Sequence, residues 1–336
     1  MKLKPLRDQV IVITGASSGI GLATAIEAAR RGARLVIASR DDADLEAAAR
    51  RLRTELAEVE AVAVDVADRG GMEYLAQQAE ARFGGFDTWV NNAGASAFGR
   101  LEDVPTDDAR QVFETNYWGV VNGSLVAAER FRRRGGPHAG CLINIGSVLS
   151  DRSVPLQGHY AASKHAVKAF TDSLRMELER EGVPVVVSLV KPSAINTPYP
   201  EHAASYMEAA PTLPPPVYAP EVVARTVVAV AEKPTREITV GAGGRALALL
   251  GQLAPRLTDK YMEATMFEQQ QREDRPARQD DGHLQEPKPD HGAHVHGDAP
   301  RHVLQSSAYT WAKMNPLPVY GAALVLGLGA VLATRR

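Results

Sequence analysis

Apolar residues along the chain fall into short β-branched runs separated by longer stretches rich in Ala, Leu, Glu and Arg. The runs read as strands at 10–14 (VIVIT), 34–39 (RLVIAS), 60–65 (EAVAVD), 86–91 (FDTWVN), 141–146 (CLINIG), 184–190 (PVVVSLV) and 236–241 (REITVG). They lack the in-out alternation of a half-exposed strand, which predicts helices over both faces of a parallel sheet. Between them, ATAIEAARRG, closed by Gly32, and DADLEAAARRLRTELA have helical spacing. Strand and helix in alternation predict a doubly wound α/β fold of about seven strands, built as a single domain with a C-terminal extension.

The first apolar run ends in TGASSGIG, Thr14 to Gly21, and a helical pattern follows at once. At the carboxyl edge of such a sheet, a helix N-terminus presents unpaired N–H groups and a partial positive charge, where a diphosphate fits. Gly15 can take the tight turn, and Gly19 and Gly21 remove the Cβ atoms that would hold backbone from phosphate and helix from strand. Ser17 and Ser18 add hydroxyl donors. Taken alone, the turn also fits a mere tight loop.

A second cluster lies in HYAASKHAVKAFTDSLRMELER, which reads as one long helix with Val167, Phe170 and Leu174 on its apolar side. Tyr160 and Lys164 are spaced i, i+4, so both functional groups can face one cleft, with Ser147 thirteen positions upstream after a strand. A free phenol titrates near pH ~10; a neighbouring ammonium would lower that value and make Tyr160 a usable general acid or base.

The formal net charge of −2 and isoelectric point near 6.5 give no pull toward nucleic acid or an acidic surface. A single cysteine, Cys141, excludes an internal disulfide framework and reads as a small core residue. No apolar signal segment precedes the first strand, so a cytoplasmic catalytic domain is expected. Nothing gives His159 or His165 metal-ligand geometry, and Trp118 reads as packing.

TGASSGIG, then NNAG (Asn91 to Gly94), Asn116, Ser147 and YAASK (Tyr160 to Lys164), in that order and spacing over roughly residues 5–240, resembles the short-chain dehydrogenase/reductase family. The resemblance implies a Rossmann-like sheet and a nicotinamide cofactor over residues 1–245. It implies that Ser147 holds the substrate oxygen, Tyr160 exchanges the proton, and Lys164 holds the nicotinamide ribose. Asn116 would hold a water linking Lys164 to solvent. Gly15, Ser17, Ser18, Gly19, Ile20 and Gly21 would cradle the diphosphate, Asp65 and Val66 would border the adenine, and Asn92, Ala93 and Gly94 would line the cleft. After the sixth strand the family's Pro-Gly is Pro192-Ser193 here, and Ile195 and Thr197 follow as further cofactor contacts. The second strand ends in Ser39-Arg40: Arg40 can clamp the 2′-phosphate of NADP, with NAD still possible, or it can pair with Asp41 or Asp42. Pairing into a homodimer or homotetramer is implied by family analogy alone.

The segments VLSDRSVPLQGH and PYPEHAASYMEAAPTLPPPVYAP would shape the substrate side; Tyr199, Tyr206 and Met207 suit a bulky apolar substrate, although such a loop can equally be an inert insertion. Residues 246–267 read as amphipathic helices broken near Pro255. Residues 268–308, polar and carrying histidines 283, 291, 294, 296 and 302, read as a disordered linker. Within 309–336, LPVYGAALVLGLGAVLAT (Leu317 to Thr334) reads as a transmembrane anchor, with a buried or partner-binding helix as the alternative. The expectation is an NADP-dependent oxidoreductase acting on an apolar carbonyl or alcohol, tethered to a membrane. The alternatives are a membrane-tethered NADP-binding sensor or scaffold, or an epimerase or dehydratase on the same fold.

Overall fold

The seven strands of the main sheet are β1 (Val10–Thr14), β2 (Arg34–Ser39), β3 (Val59–Ala63), β4 (Thr88–Asn91), β5 (Gly140–Ile145), β6 (Val185–Pro192) and β7 (Glu237–Val240). A computed structural model, describing residues 1–55, 57–276, 280, 282–288 and 293–315, pairs them in one parallel sheet of order β7-β6-β5-β4-β1-β2-β3. β1 is hydrogen-bonded to both β2 and β4, so the polypeptide reverses its direction of travel across the sheet at β1. That reversal opens a crevice at the strands' carboxyl ends, the usual place for a ligand in this architecture.

Both faces of the sheet are covered, which explains why the strands read as unbroken apolar runs. Ile11 and Ile13 of β1 enter one core cluster, Val10 and Val12 the other. The first cluster packs against α1 (Gly19–Arg30) and α2 (Asp42–Thr54), and the second against α3 (Arg69–Phe83). Next in sequence come α4 (Thr106–Phe113), α5 (Gly119–Arg132), α6 (Gly158–Glu181), the short α7 (Tyr199–His202) and α8 (Pro220–Glu232). Of these, α5 and α6 complete the second layer and α8 the first. Helix ends follow local chemistry. Asp41 and Asp68 cap α2 and α3 with their carboxylates, and left-handed Gly84 and Gly182 stop α3 and α6. Cys141 lies in the core, where burial pushes its thiol up to about 12.

Beyond β7 lie α9 (Ala242–Leu253) and α10 (Pro255–Gln269). The linker expected over 268–308 is corrected here. Gln271–Pro276 pairs antiparallel with Ala209–Pro211, Asp280 bridges Ser205, and Val303–Leu304 pairs parallel with Val217–Tyr218. Val295 is buried in the first core cluster. Residues 277–279, 281 and 289–292 lie outside the described residues.

The membrane expectation is also corrected: among the described residues no helix is long and apolar enough to cross a membrane. The described part of 309–336 belongs to α11 (Ala308–Met314), whose seven residues extend ~10 Å against a hydrocarbon core of ~30 Å. Leu317 to Thr334 lies outside the described residues. Trp118, expected as packing, is 47% exposed, with its ring edge on Tyr117.

Candidate active site

The turn after β1 is held from below. Asn92, just past β4, donates from Nδ2 to the carbonyls of Thr14 and Gly15, both at 2.9 Å, while its amide donates to Thr14 Oγ1 at 3.1 Å. Gly15 has φ +63°, and a Cβ there would lie 2.7 Å from Ala93 Cα. A Cβ on Gly21 would lie 2.1 Å from the Gly15 carbonyl oxygen. The cradle therefore excludes side chains as diphosphate binding requires, and the first-turn amides of Ile20 and Gly21 have no acceptor within their own helix. Gly19, also left-handed, sits against Thr197, whose Cβ would be 3.2 Å from a Gly19 Cβ. These residues fit a dinucleotide.

The candidate proton-handling residues come together where β5 meets α6. Ser147 caps a short 3-10 turn, its Oγ accepting from the Leu149 amide at 3.1 Å. Tyr160, in the first turn of α6, hydrogen-bonds to the hydroxyls of Ser147 and Tyr199. One turn on, Lys164 is 3% exposed; its Nζ donates to the Ile145 carbonyl at 3.0 Å and lies 5.7 Å from the centre of the Tyr160 ring. Gly94 runs between Lys164 and Asn116, since a Cβ on it would be 3.3 Å from Asn116 Oδ1 and 3.7 Å from Lys164 Nζ. Asn116 lies in a π-helical turn, Glu114–Trp118, a distortion common at functional sites. Its amide side chain is engaged by the backbone of Ala95 and by Ser163 Oγ.

Electrostatics depart from what the spacing suggests. Burial raises the Tyr160 phenol above its ordinary value, and the hydrogen bonds from Ser147 and Tyr199 offset only part of that rise. Burial also lowers Lys164 to about 8. The expected lowering of Tyr160 by its neighbour is corrected accordingly: the apolar surroundings that bring the two together disfavour charge on both. Tyr160 is thus held protonated at neutral pH. Lys164 is charged below pH about 8 and neutral above it. If the ammonium stabilises the phenolate left after proton donation, the rate of carbonyl reduction falls as pH rises through about 8, a dependence that a pH–rate profile would show. A flat profile from pH 7 to 9 would contradict this assignment.

Several supporting contacts carry no signal in the sequence. Tyr199, read as a substrate-lid residue, packs its ring edge on Tyr160 at 5.6 Å and donates to Gln157 Oε1 at 3.1 Å. Gln157 in turn donates to Gln270 Oε1 at 2.6 Å, linking the site to the end of α10. Asp151, four residues after Ser147, accepts from Lys168 of α6 and from the fully buried Lys191 of β6. Burial would raise its carboxyl, but the two ammonium groups hold it below the ordinary value. The Ser147 turn is thereby pinned to two other elements.

Ser193, the departure from Pro-Gly, donates from Oγ to the Gly241 carbonyl at 3.2 Å. A Cβ on Gly241 or Gly244 would lie 2.6 or 2.7 Å from that Oγ, so two glycines make room for the serine. Asp65 is not among the cavity-lining residues, and its carboxylate accepts from the Ala67 amide at 2.9 Å. Val66, Ala93, Pro192 and Ile195 do line the cavity. Arg40 pairs with neither Asp41 nor Asp42 among the described contacts. It donates to the carbonyls of His283 and Leu284 while remaining on the cavity wall.

One cavity of about 560 Å³ runs from Arg40 past Gly15 and Gly19 to Ser147, Tyr160 and Lys164. Residues 9–206 match the family model for short chain dehydrogenases. Over its whole length the protein is 41% identical to the uncharacterized oxidoreductase YxnA of Bacillus subtilis, covering 93% of that protein. A short chain dehydrogenase/reductase from Burkholderia phymatum, solved in complex with NAD, superposes with a TM-score of 0.65 at 28% identity, over 76% of this protein and 96% of that one. An alcohol dehydrogenase from Thermococcus sibiricus, complexed with 5-hydroxy-NADP, gives 0.59 at 27% identity over 69% and 95%. With this fold, this cradle and these matches, the protein belongs to the short-chain dehydrogenase/reductase family and is an oxidoreductase of that general type.

Proposed function

We propose that the protein transfers hydride between NADP(H) and the carbonyl or alcohol carbon of an apolar substrate. The observation that carries this reading is the continuity of one cavity: the glycine cradle lies along it, and Tyr160 and Ser147 face it beside an apolar wall of Val154, Leu213, Leu247, Leu250 and Met266. A carbonyl oxygen held by the Ser147 hydroxyl would receive the Tyr160 proton, and Lys164 would stabilise the charge left behind. The nicotinamide, when bound, supplies or accepts the hydride. Ser17, Ser18, Ile20 and Gly21 would hold the diphosphate, and Asn92, Ala93 and Gly94 would line its path with Thr197 opposite.

NADP is favoured over NAD by the end of β2. Arg40 stands on the cavity wall, and the adjoining Asp41 carboxylate accepts from the Asp44 amide at 2.7 Å, so it is occupied in capping α2. Charge-assisted hydrogen bonds contribute about 1.5–3 kcal/mol, so Arg40→Ala is expected to weaken NADPH roughly 10- to 100-fold, and NADH by a smaller factor that reflects only the lost hydrogen bonds to the His283 and Leu284 carbonyls. Titration of both cofactors by fluorescence measures this; equal losses for the two would refute the 2′-phosphate assignment. A panel of apolar ketones and aldehydes against small polar ones tests the substrate class, with higher kcat/KM expected for the apolar members.

A further inference from the structure

The segment that follows α10 returns across the cofactor crevice rather than leaving the molecule. At the Arg40 end, both strap carbonyls that Arg40 engages belong to His283 and Leu284, and His283 stacks on His202 with ring centres 4.3 Å apart. Over the cradle, the Gly19 amide donates to the His294 carbonyl at 2.9 Å, and Arg51 of α2 donates to the Ala293 carbonyl at 3.0 Å. Past it, the Gly297 amide donates to the Asn196 carbonyl at 3.3 Å and the Ala299 amide to Asn196 Oδ1 at 3.2 Å. Val295 is buried between these contacts. The anchors thus reach both ends of the crevice.

We propose that residues 283–288 and 293–297 form a cofactor-retaining strap, an added wall of the dinucleotide site that must lift for NADP(H) to exchange. The proposal rests on the dinucleotide reading of the cavity. A cavity of about 560 Å³ remains beside the strap, lined by His283, Pro287 and Lys288 as well as by Arg40 and the cradle. Strap carbonyls accept from the Gly19 amide and the Arg40 guanidinium, donors that a lifted strap would release to the cofactor. Backbone carbonyls make several of its contacts with the body, and side chains make others: Gln285 donates to Asp108 Oδ1 at 2.6 Å, His296 lies 2.8 Å from the Glu221 carboxylate, and Leu284 and Val295 are buried. Glycine is required where it passes closest. A Cβ on Gly297 would lie 2.3 Å from the Thr197 carbonyl oxygen, and one on Gly282, at φ +57°, would lie 2.4 Å from the His202 carbonyl oxygen.

Gly297→Val levers the strap away at a residue that does not line the cavity, and Arg51→Ala removes one exposed anchor without touching the core. NADPH is bound to full-length protein and displaced by excess NADP⁺ in a stopped-flow fluorimeter. The expected result is release at least tenfold faster in Gly297→Val and about threefold faster in Arg51→Ala. Release within twofold of the unaltered protein in both variants would overturn the strap. Tighter NADPH binding in the variants would overturn it in the opposite sense, by showing that the segment competes with cofactor. If the unaltered protein binds no NADPH, the dinucleotide reading itself fails, and the strap with it. Should Gly297→Val not fold, Arg51→Ala alone decides between these results.

Discussion

Tyr160→Phe is expected to lower kcat by a factor of roughly 10²–10⁴, the range that a positioned proton donor contributes. The ring keeps its edge-on contact with Tyr199, so the substitution removes one hydroxyl and little packing. Ser147 and Tyr199 each lose a hydrogen-bond partner, which costs about 1 kcal/mol apiece in stability and leaves the fold intact. NADPH affinity should move far less than kcat, because the cradle and the Arg40 region are untouched. Steady-state NADPH oxidation with cofactor titration in parallel separates the two effects. A loss of less than tenfold in kcat would mean that another group, with Tyr199 the nearest hydroxyl, delivers the proton.

Gly21→Ala is expected to damage binding rather than chemistry. A Cβ at that position would lie 2.1 Å from the Gly15 carbonyl oxygen and 2.5 Å from Asn92 Nδ2. Both atoms belong to the hydrogen bond that fixes the turn, so neither can yield without opening the cradle. Overpacking of this kind costs about 1–3 kcal/mol in stability. The displaced turn should weaken NADPH by roughly 100-fold or more, since each 1.4 kcal/mol lost is tenfold in affinity. Thermal unfolding and NADPH titration on the same preparation measure both. A variant that binds NADPH normally would show that the turn does not hold the diphosphate.

The sheet and the chemical residues are legible in the sequence because each depends on short-range pattern. Seven apolar runs correspond to seven strands, since residues such as Val12 and Ile13 are buried on opposite faces and leave no polar position between. The i, i+4 spacing brings Tyr160 and Lys164 to one cleft, and Ser147 meets them at the end of β5. Spacing conveys proximity but not solvation, which is why it points the Tyr160 shift in the wrong direction. The strap is illegible for a different reason. Four of its anchors are the carbonyls of His283, Leu284, Ala293 and His294, groups that every residue carries, and only the buried Leu284 and Val295 interrupt a polar composition that resembles a linker. The accommodation of Ser193 by Gly241 and Gly244 joins residues almost fifty positions apart and emerges only once β6 and β7 lie side by side. Asp65 shows the reverse case, a residue carried over from the family pattern whose carboxylate serves the local turn.

Hydride transfer is proposed at the end of the cavity where Ser147 and Tyr160 meet. It is tested most directly by supplying NADPH deuterated at the transferring C4 position, together with an apolar ketone, and analysing the alcohol by mass spectrometry. One deuterium on the carbinol carbon is expected for each NADPH consumed, with turnover falling at least 100-fold in Tyr160→Phe, roughly the lower end of a proton donor's contribution. NADPH consumed without label in the product, or altered substrate with no net NADPH consumed, would contradict it.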